Sequence, residues 1–286
     1  MQPPPPRQYF SQREGRSRAS VRLDLDEAKT LFLAEFRQFN GRDYFQEAFG
    51  YKCIDAGEIA GTVGDPESLF YKRLKVLGLW PIHSAIAQYT EDDLFDVIEL
   101  LHDVVSRPDR NTAHYHSYGN CGWHIREFDR EAGRTEYRSA INEILVNYGP
   151  GYELTAVGEI RELGPPDQRE LLTQPLPSID AERVDSKIEA AMSAFLHHGA
   201  TVEDRRHAIR LLADAFEFLR EQLPQVISRK DEGELFILAN QFGIRHNDPS
   251  QKMDYDPNLW LEWMFFYYLN TIAMVVKALA RPQARR

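Results

Sequence analysis

Twenty-two residues near the C-terminal end, LWLEWMFFYYLNTIAMVVKALA (259–280), constrain the fold most. They are long enough to cross a bilayer, yet they carry Glu262, Asn270 and Lys277. Ionisable groups are costly in a hydrocarbon centre, so the stretch is read as a helix that protein buries on most sides, without a membrane. Such a helix needs apolar partners, and the residues before it supply them at helical spacing. Ile188, Met192 and Phe195 share a face over 181–198. Thr201 is a good cap, Glu203 and Asp204 suit a first turn, and Ile209, Leu212, Phe216 and Leu219 form a stripe. A third helix is predicted over 231–242, with Leu235, Leu238, Ala239 and Phe242 ending at Gly243. Asp256 and Pro257 open the fourth. The expectation is a four-helix bundle over 181–281.

At 286 residues and 43% hydrophobic content, the chain exceeds what one compact unit needs. The remainder is also read as mainly α. Apolar spacing predicts helices over 23–39, 67–77, 91–105 and 125–148, followed by a small β-hairpin in which Tyr152, Leu154 and Ala156 alternate with polar neighbours. Gly57, Gly61 and Gly64 in AGEIAGTVGDPE mark turns, because no Lys-Ser/Thr pair follows them as a phosphate-cradling loop requires. The expected order is a flexible basic arm (1–20), an acidic helical domain ending in the hairpin (21–163), a Pro-rich linker (164–180) and the bundle.

Charge separates these regions. The net −10 divides into +3 over 1–20, −12 over 21–180 and −1 over 181–286. The middle of the chain would repel a phosphate backbone, so contact with nucleic acid is expected from the arm or the bundle. Two cysteines, Cys53 and Cys121, are too few for a disulfide framework, and no export signal opens the chain. The reading is a cytoplasmic protein.

Two stretches carry chemistry. FGIRHNDPSQK (242–252) connects the third and fourth predicted helices and sets Arg245, His246 and Asn247 side by side. A cation just past a helix C-terminus also interacts favourably with the exposed carbonyls, and Asn247, Asp248 and Pro249 suit a turn. HYHSYGNCGWH (114–124) gathers His114, His116, Cys121 and His124. Imidazole and thiolate are the ligands zinc prefers, although paired structural knuckles separate their ligand couples further. The histidines can equally bond backbone and pack beside Trp123. The expectation is no resident metal or cofactor, with those four residues as the ligands should a metal bind.

Helices flanking an Arg-polar dipeptide, with a final apolar helix, resemble the HEPN superfamily of prokaryotic defence and RNA-processing proteins over about 181–281. EDDLFDVIELLHDVV and YRSAINEILVNYGPGYELTAVGEI look like the N-terminal domains of abortive-infection proteins of the AbiJ type. The resemblance implies an antiviral effector acting as a metal-independent ribonuclease, dimeric, and engaging RNA or a nucleotide through the bundle. Arg245 would match the superfamily's arginine and His246 its polar position, with Asn247 beside them as the third candidate catalytic residue. The superfamily's distal histidine has no counterpart in the residues that follow, so His246 would have to serve as the titratable group. RNTAHYH repeats the spacing with Arg110, Asn111 and His116, outside the bundle. Two alternatives stand beside this reading: a non-catalytic nucleotide-, RNA- or protein-binding module, and a zinc-binding module or hydrolase built on the His/Cys loop. No serine elbow, P-loop or dinucleotide fingerprint occurs.

Overall fold

The computed structural model describes residues 9–14, 22–165, 167–225 and 256–281. The expected helix over 231–242, and Arg245, His246 and Asn247 after it, lie outside the described residues. Two compact units divide between Ile160 and Arg161.

The first unit runs through α1 (Leu25–Gly41), β1 (Tyr51–Cys53), β2 (Gly57–Ile59), α2 (Pro66–Leu74), α3 (Glu91–Val104), β3 (Arg107–Pro108), β4 (His114–His116), β5 (Gly122–His124), β6 (Phe128–Asp129), α4 (Arg130–Leu145) and β7 (Tyr152–Leu154), and ends on the first residue of β8 (Ile160–Glu162). Its helices begin where local chemistry starts them. Asp24 and Glu27 form a capping box on α1, and Thr90 and Asp93 form one on α3. Asp129 caps α4 by accepting from the Ala132 N–H at 3.0 Å. Helix α4 is the hub, packed against α1, α3, β3 and β7. It buries Tyr137, Ile141 and Leu145 at helical spacing. Tyr137 meets Phe39 edge-on at 5.4 Å and donates to the Ile98 carbonyl at 3.3 Å, so its hydroxyl is satisfied in the core. Arg134 donates to the carbonyls of His102 and Asp103, covering the end of α3.

The described residues are mainly helical with small antiparallel sheets. One hairpin was expected, and β7 does pair with β8, but three further two-stranded pairs accompany it: β1–β2, β3–β6 and β4–β5. These strands are two or three residues long, too short for alternation to register as a pattern. Accordingly, the helix expected over 125–148 starts only at Arg130, because residues 122–124 and 128–129 are drawn into strands.

The second unit contains α5 (Arg169–Thr173), α6 (Ser186–Leu196), α7 (Val202–Phe218) and α8 (Pro257–Leu279). Residues 164–180, expected to be a linker, carry α5 and bury Leu172 in this unit's core. Thr201 and Asp204 form a capping box on α7, which packs against both α6 and α8. Leu212, Phe216, Phe265 and Ile272 are fully buried. Each such side chain stabilises the fold by about 1.5–3 kcal/mol relative to exposure. Phe195 and Phe265 stack at 4.0 Å, tying α6 to α8. Leu259–Leu279 is long and apolar enough to cross a bilayer, and more than half of it is buried against the protein.

Candidate metal centre

The hairpins β1–β2 and β4–β5 carry the chemistry of the first unit. Each has three-residue strands, and a two-stranded hairpin by itself is marginally stable in water. Something outside the ladders must hold them. At the base of the first hairpin the chain folds back tightly: a Cβ at Gly50 would lie 1.9 Å from the Ile59 carbonyl oxygen, and its φ of +77° suits glycine alone. Gln46 brackets the second hairpin, donating to the Trp123 carbonyl at 2.8 Å and accepting from the Ile125 N–H at 2.9 Å. Arg110 pairs with Asp43 at 2.9 Å and lies 5.3 Å from the Trp123 ring, anchoring the same strand.

Strand register then sorts the side chains. His114 stands opposite His124, Tyr115 opposite Trp123 and His116 opposite Gly122. Side chains alternate, so the three histidines share one face and the Tyr115–Trp123 pair occupies the other, exposed one. Tyr51 of β1 lies 4.4 Å from the His124 ring, which turns the histidine face toward the first hairpin.

Four ligand atoms converge there. One atom each from Cys53, His116, Cys121 and His124 lie within 4.8 Å of one another. A tetrahedral zinc with bonds of about 2.3 Å to sulfur and 2.0 Å to nitrogen has ligand atoms about 3.3–3.8 Å apart, so closure needs shifts of an ångström or less. Cys53 is buried, and the other three are half-buried. The His124 Nε2 is buried with no hydrogen-bond partner. Burial and the neighbouring rings of His116 and His114 push the His124 imidazole below its ordinary pKa, favouring the neutral form that ligates metal.

Outer contacts orient the set. The His116 Nδ1 faces the Cys53 sulfur at 3.9 Å, while its Nε2 lies 3.3 Å from an Asp55 carboxylate oxygen. A carboxylate behind a ligating imidazole fixes the ring and raises its basicity. The Ile54 N–H donates to the Cys121 sulfur at 3.1 Å, holding it against the first hairpin. Gly119, with φ +62°, lets the tip of the second hairpin approach: a Cβ there would sit 2.5 Å from the Ile54 Cδ1.

Three of the four expected metal candidates thus belong to the cluster, and one does not. His114 is exposed, with its ring 6.2 Å from His124 and 6.3 Å from His116, and Cys53 occupies the fourth position. The sequence reading missed Cys53 because it lies 61 residues before the loop's first histidine. The available signal was that the chain's two cysteines each sit beside turn glycines, in KCIDAG and GNCG. The spacing match in RNTAHYH dissolves into separate tasks. Arg110 pairs with Asp43, Asn111 donates to Asp109 and His116 joins the cluster. No family model, curated protein or solved structure matches the chain.

Proposed function

We propose that residues 22–160 form a zinc-stabilised module in which one ion, held by Cys53, His116, Cys121 and His124, fastens the β1–β2 hairpin to β4–β5. The observation that carries this reading is the convergence of four ligand atoms, including both cysteines of the chain, on one point. Two sulfurs and two imidazole nitrogens are the donor set of tetrahedral zinc. Four protein ligands leave no open position for a substrate or a water, which favours a structural ion over a zinc hydrolase. Metal analysis of the purified chain tests it. About one zinc per chain is expected, lost in Cys53→Ser and retained in His114→Ala. A wild-type chain that takes up no zinc after refolding with the ion overturns the reading.

For the second unit we infer an RNA-directed effector of antiviral defence, cutting RNA as a HEPN-type, metal-independent ribonuclease and working as a homodimer. What favours it is an apolar pack of α6, α7 and α8 in which the stretch between α7 and α8 contains Arg245, His246 and Asn247. Expression of wild type and Arg245→Ala side by side tests it by growth and total RNA. Toxicity and RNA loss that vanish in the variant are expected. Saturable RNA binding without turnover in both proteins favours a non-catalytic binding module instead.

A further inference from the structure

The chain has two cysteines, 68 residues apart in sequence, on two different hairpins. Their sulfurs nevertheless lie within 4.8 Å of each other at the metal centre. A disulfide needs about 2.05 Å between sulfurs, so the pair stands one small hairpin movement from bonding. The segments that would move are the tips: the three-residue turn Ile54–Ala56 of the first hairpin and the stretch Ser117–Cys121 of the second. The base of the second hairpin is held independently of the metal, by the Gln46 bracket and by Arg110 on Asp43. Of the two residues Cys53 is the more enclosed, at 9% exposure, and Cys121 is half-buried.

Resting on the reading of this cluster as a zinc centre, we propose that the site is releasable by oxidation: a hydroperoxide converts Cys53 and Cys121 into a disulfide and expels the ion, unfastening the hairpin tips. The more accessible Cys121 sulfur attacks the peroxide. The O–O bond breaks, water or an alcohol leaves with a proton from solvent, and Cys121 becomes a sulfenic acid. The Cys53 sulfur then attacks the Cys121 sulfur. The S–S bond forms, the S–O bond breaks, and the hydroxide departs as water with a second solvent proton. Two thiolates supply the two electrons that reduce the peroxide. Zinc keeps its charge and loses both sulfur ligands, and two imidazoles alone hold it poorly. Reduction by a dithiol restores the thiolates and the site.

The geometry sets the product. With no third cysteine in the chain, the sulfenic acid has one internal partner. The Gln46 bracket keeps the base of the second hairpin in place after the ion leaves, so His116 and His124 return to the site when the sulfurs are reduced.

The experiment uses the full chain loaded with zinc and treated with hydrogen peroxide. Released zinc is read with a chromogenic chelator, and the cross-link by non-reducing peptide mapping. About one equivalent of zinc should appear per Cys53–Cys121 disulfide, and dithiothreitol with added zinc should reverse both. His114→Ala should behave as wild type. In Cys53→Ser the oxidised Cys121 should be trapped as a sulfenic acid by dimedone. Zinc retained at peroxide levels that oxidise an equally exposed model thiol overturns the proposal, as does release accompanied by sulfinic or sulfonic cysteine without the cross-link. A chain that never loads zinc fails one step earlier and overturns the metal centre itself.

Discussion

The two units bury apolar surface in different ways. In the second, α6, α7 and α8 close around side chains such as Leu212, Phe216 and Phe265, and cohesion is spread over a continuous apolar face. The first has a comparable core around α4, but the two hairpins that carry Cys53, His116, Cys121 and His124 lie outside that core. They expose Ile54, Tyr115, Tyr118 and Trp123. Those hairpins depend on a few directed contacts: one glutamine bracket, one arginine, one tyrosine packed on a histidine ring and four convergent ligands. A dispersed core loses stability in proportion to the volume removed, whereas a directed one fails when a single atom leaves.

The largest expected effect tests the dispersed side. Phe265→Ala, which removes the ring stacked on Phe195, should cost about 3–5 kcal/mol in denaturant unfolding of the second unit and should be indifferent to chelators. Equal sensitivity of that transition to a chelator would break the contrast. Next comes metal removal from the first unit. At free zinc a thousandfold above its dissociation constant, loss of the ion should cost about 4 kcal/mol, read as a fall in that unit's unfolding midpoint with chelator. A smaller step sharpens the directed side: Asp55→Asn keeps the four ligands and should weaken zinc about tenfold in a competition titration, the low end for such partners because Asp55 is exposed.

The smallest effect concerns His102, which is buried with both ring nitrogens unpartnered. Burial, followed by the charge of Arg134, holds its pKa below the ordinary 6.5, with Arg138 acting in the same sense and Asp103 and Glu131 opposing. The folded protein therefore keeps the ring neutral while the unfolded chain takes up a proton. Its contribution is full above about pH 6.5 and is lost as pH falls below that value. In zinc-saturated protein, His102→Leu should be neutral to stabilising at pH 8 and should flatten the acid slope of the first unit's stability. An unchanged slope would place the titrating group elsewhere.

Periodic elements were legible and convergent ones were not. Thr90 before α3, Thr201 before α7 and the stripe Ile209, Leu212 and Phe216 each carry their helix in a window of a few residues. Local chemistry suffices there, because a cap and a spacing act over one or two turns. The loop 114–124 announced its ligand types, yet nothing in it distinguishes His114 from His116 or names Cys53. Strand register, the turn at Gly119 and the packing of Tyr51 against His124 make that choice.

The sequence by itself determined that this chain is mainly helical, that a strongly acidic region precedes a nearly neutral one, and that a final apolar helix must be covered by protein. Only the tertiary structure decided that Cys53 rather than His114 completes the cluster, and that residues 164–180 join a core instead of spanning a gap. Helix formation is written in neighbours three and four positions apart. A cluster of potential metal ligands is written in distances of a few ångströms between residues 68 positions apart, and folding alone brings them together.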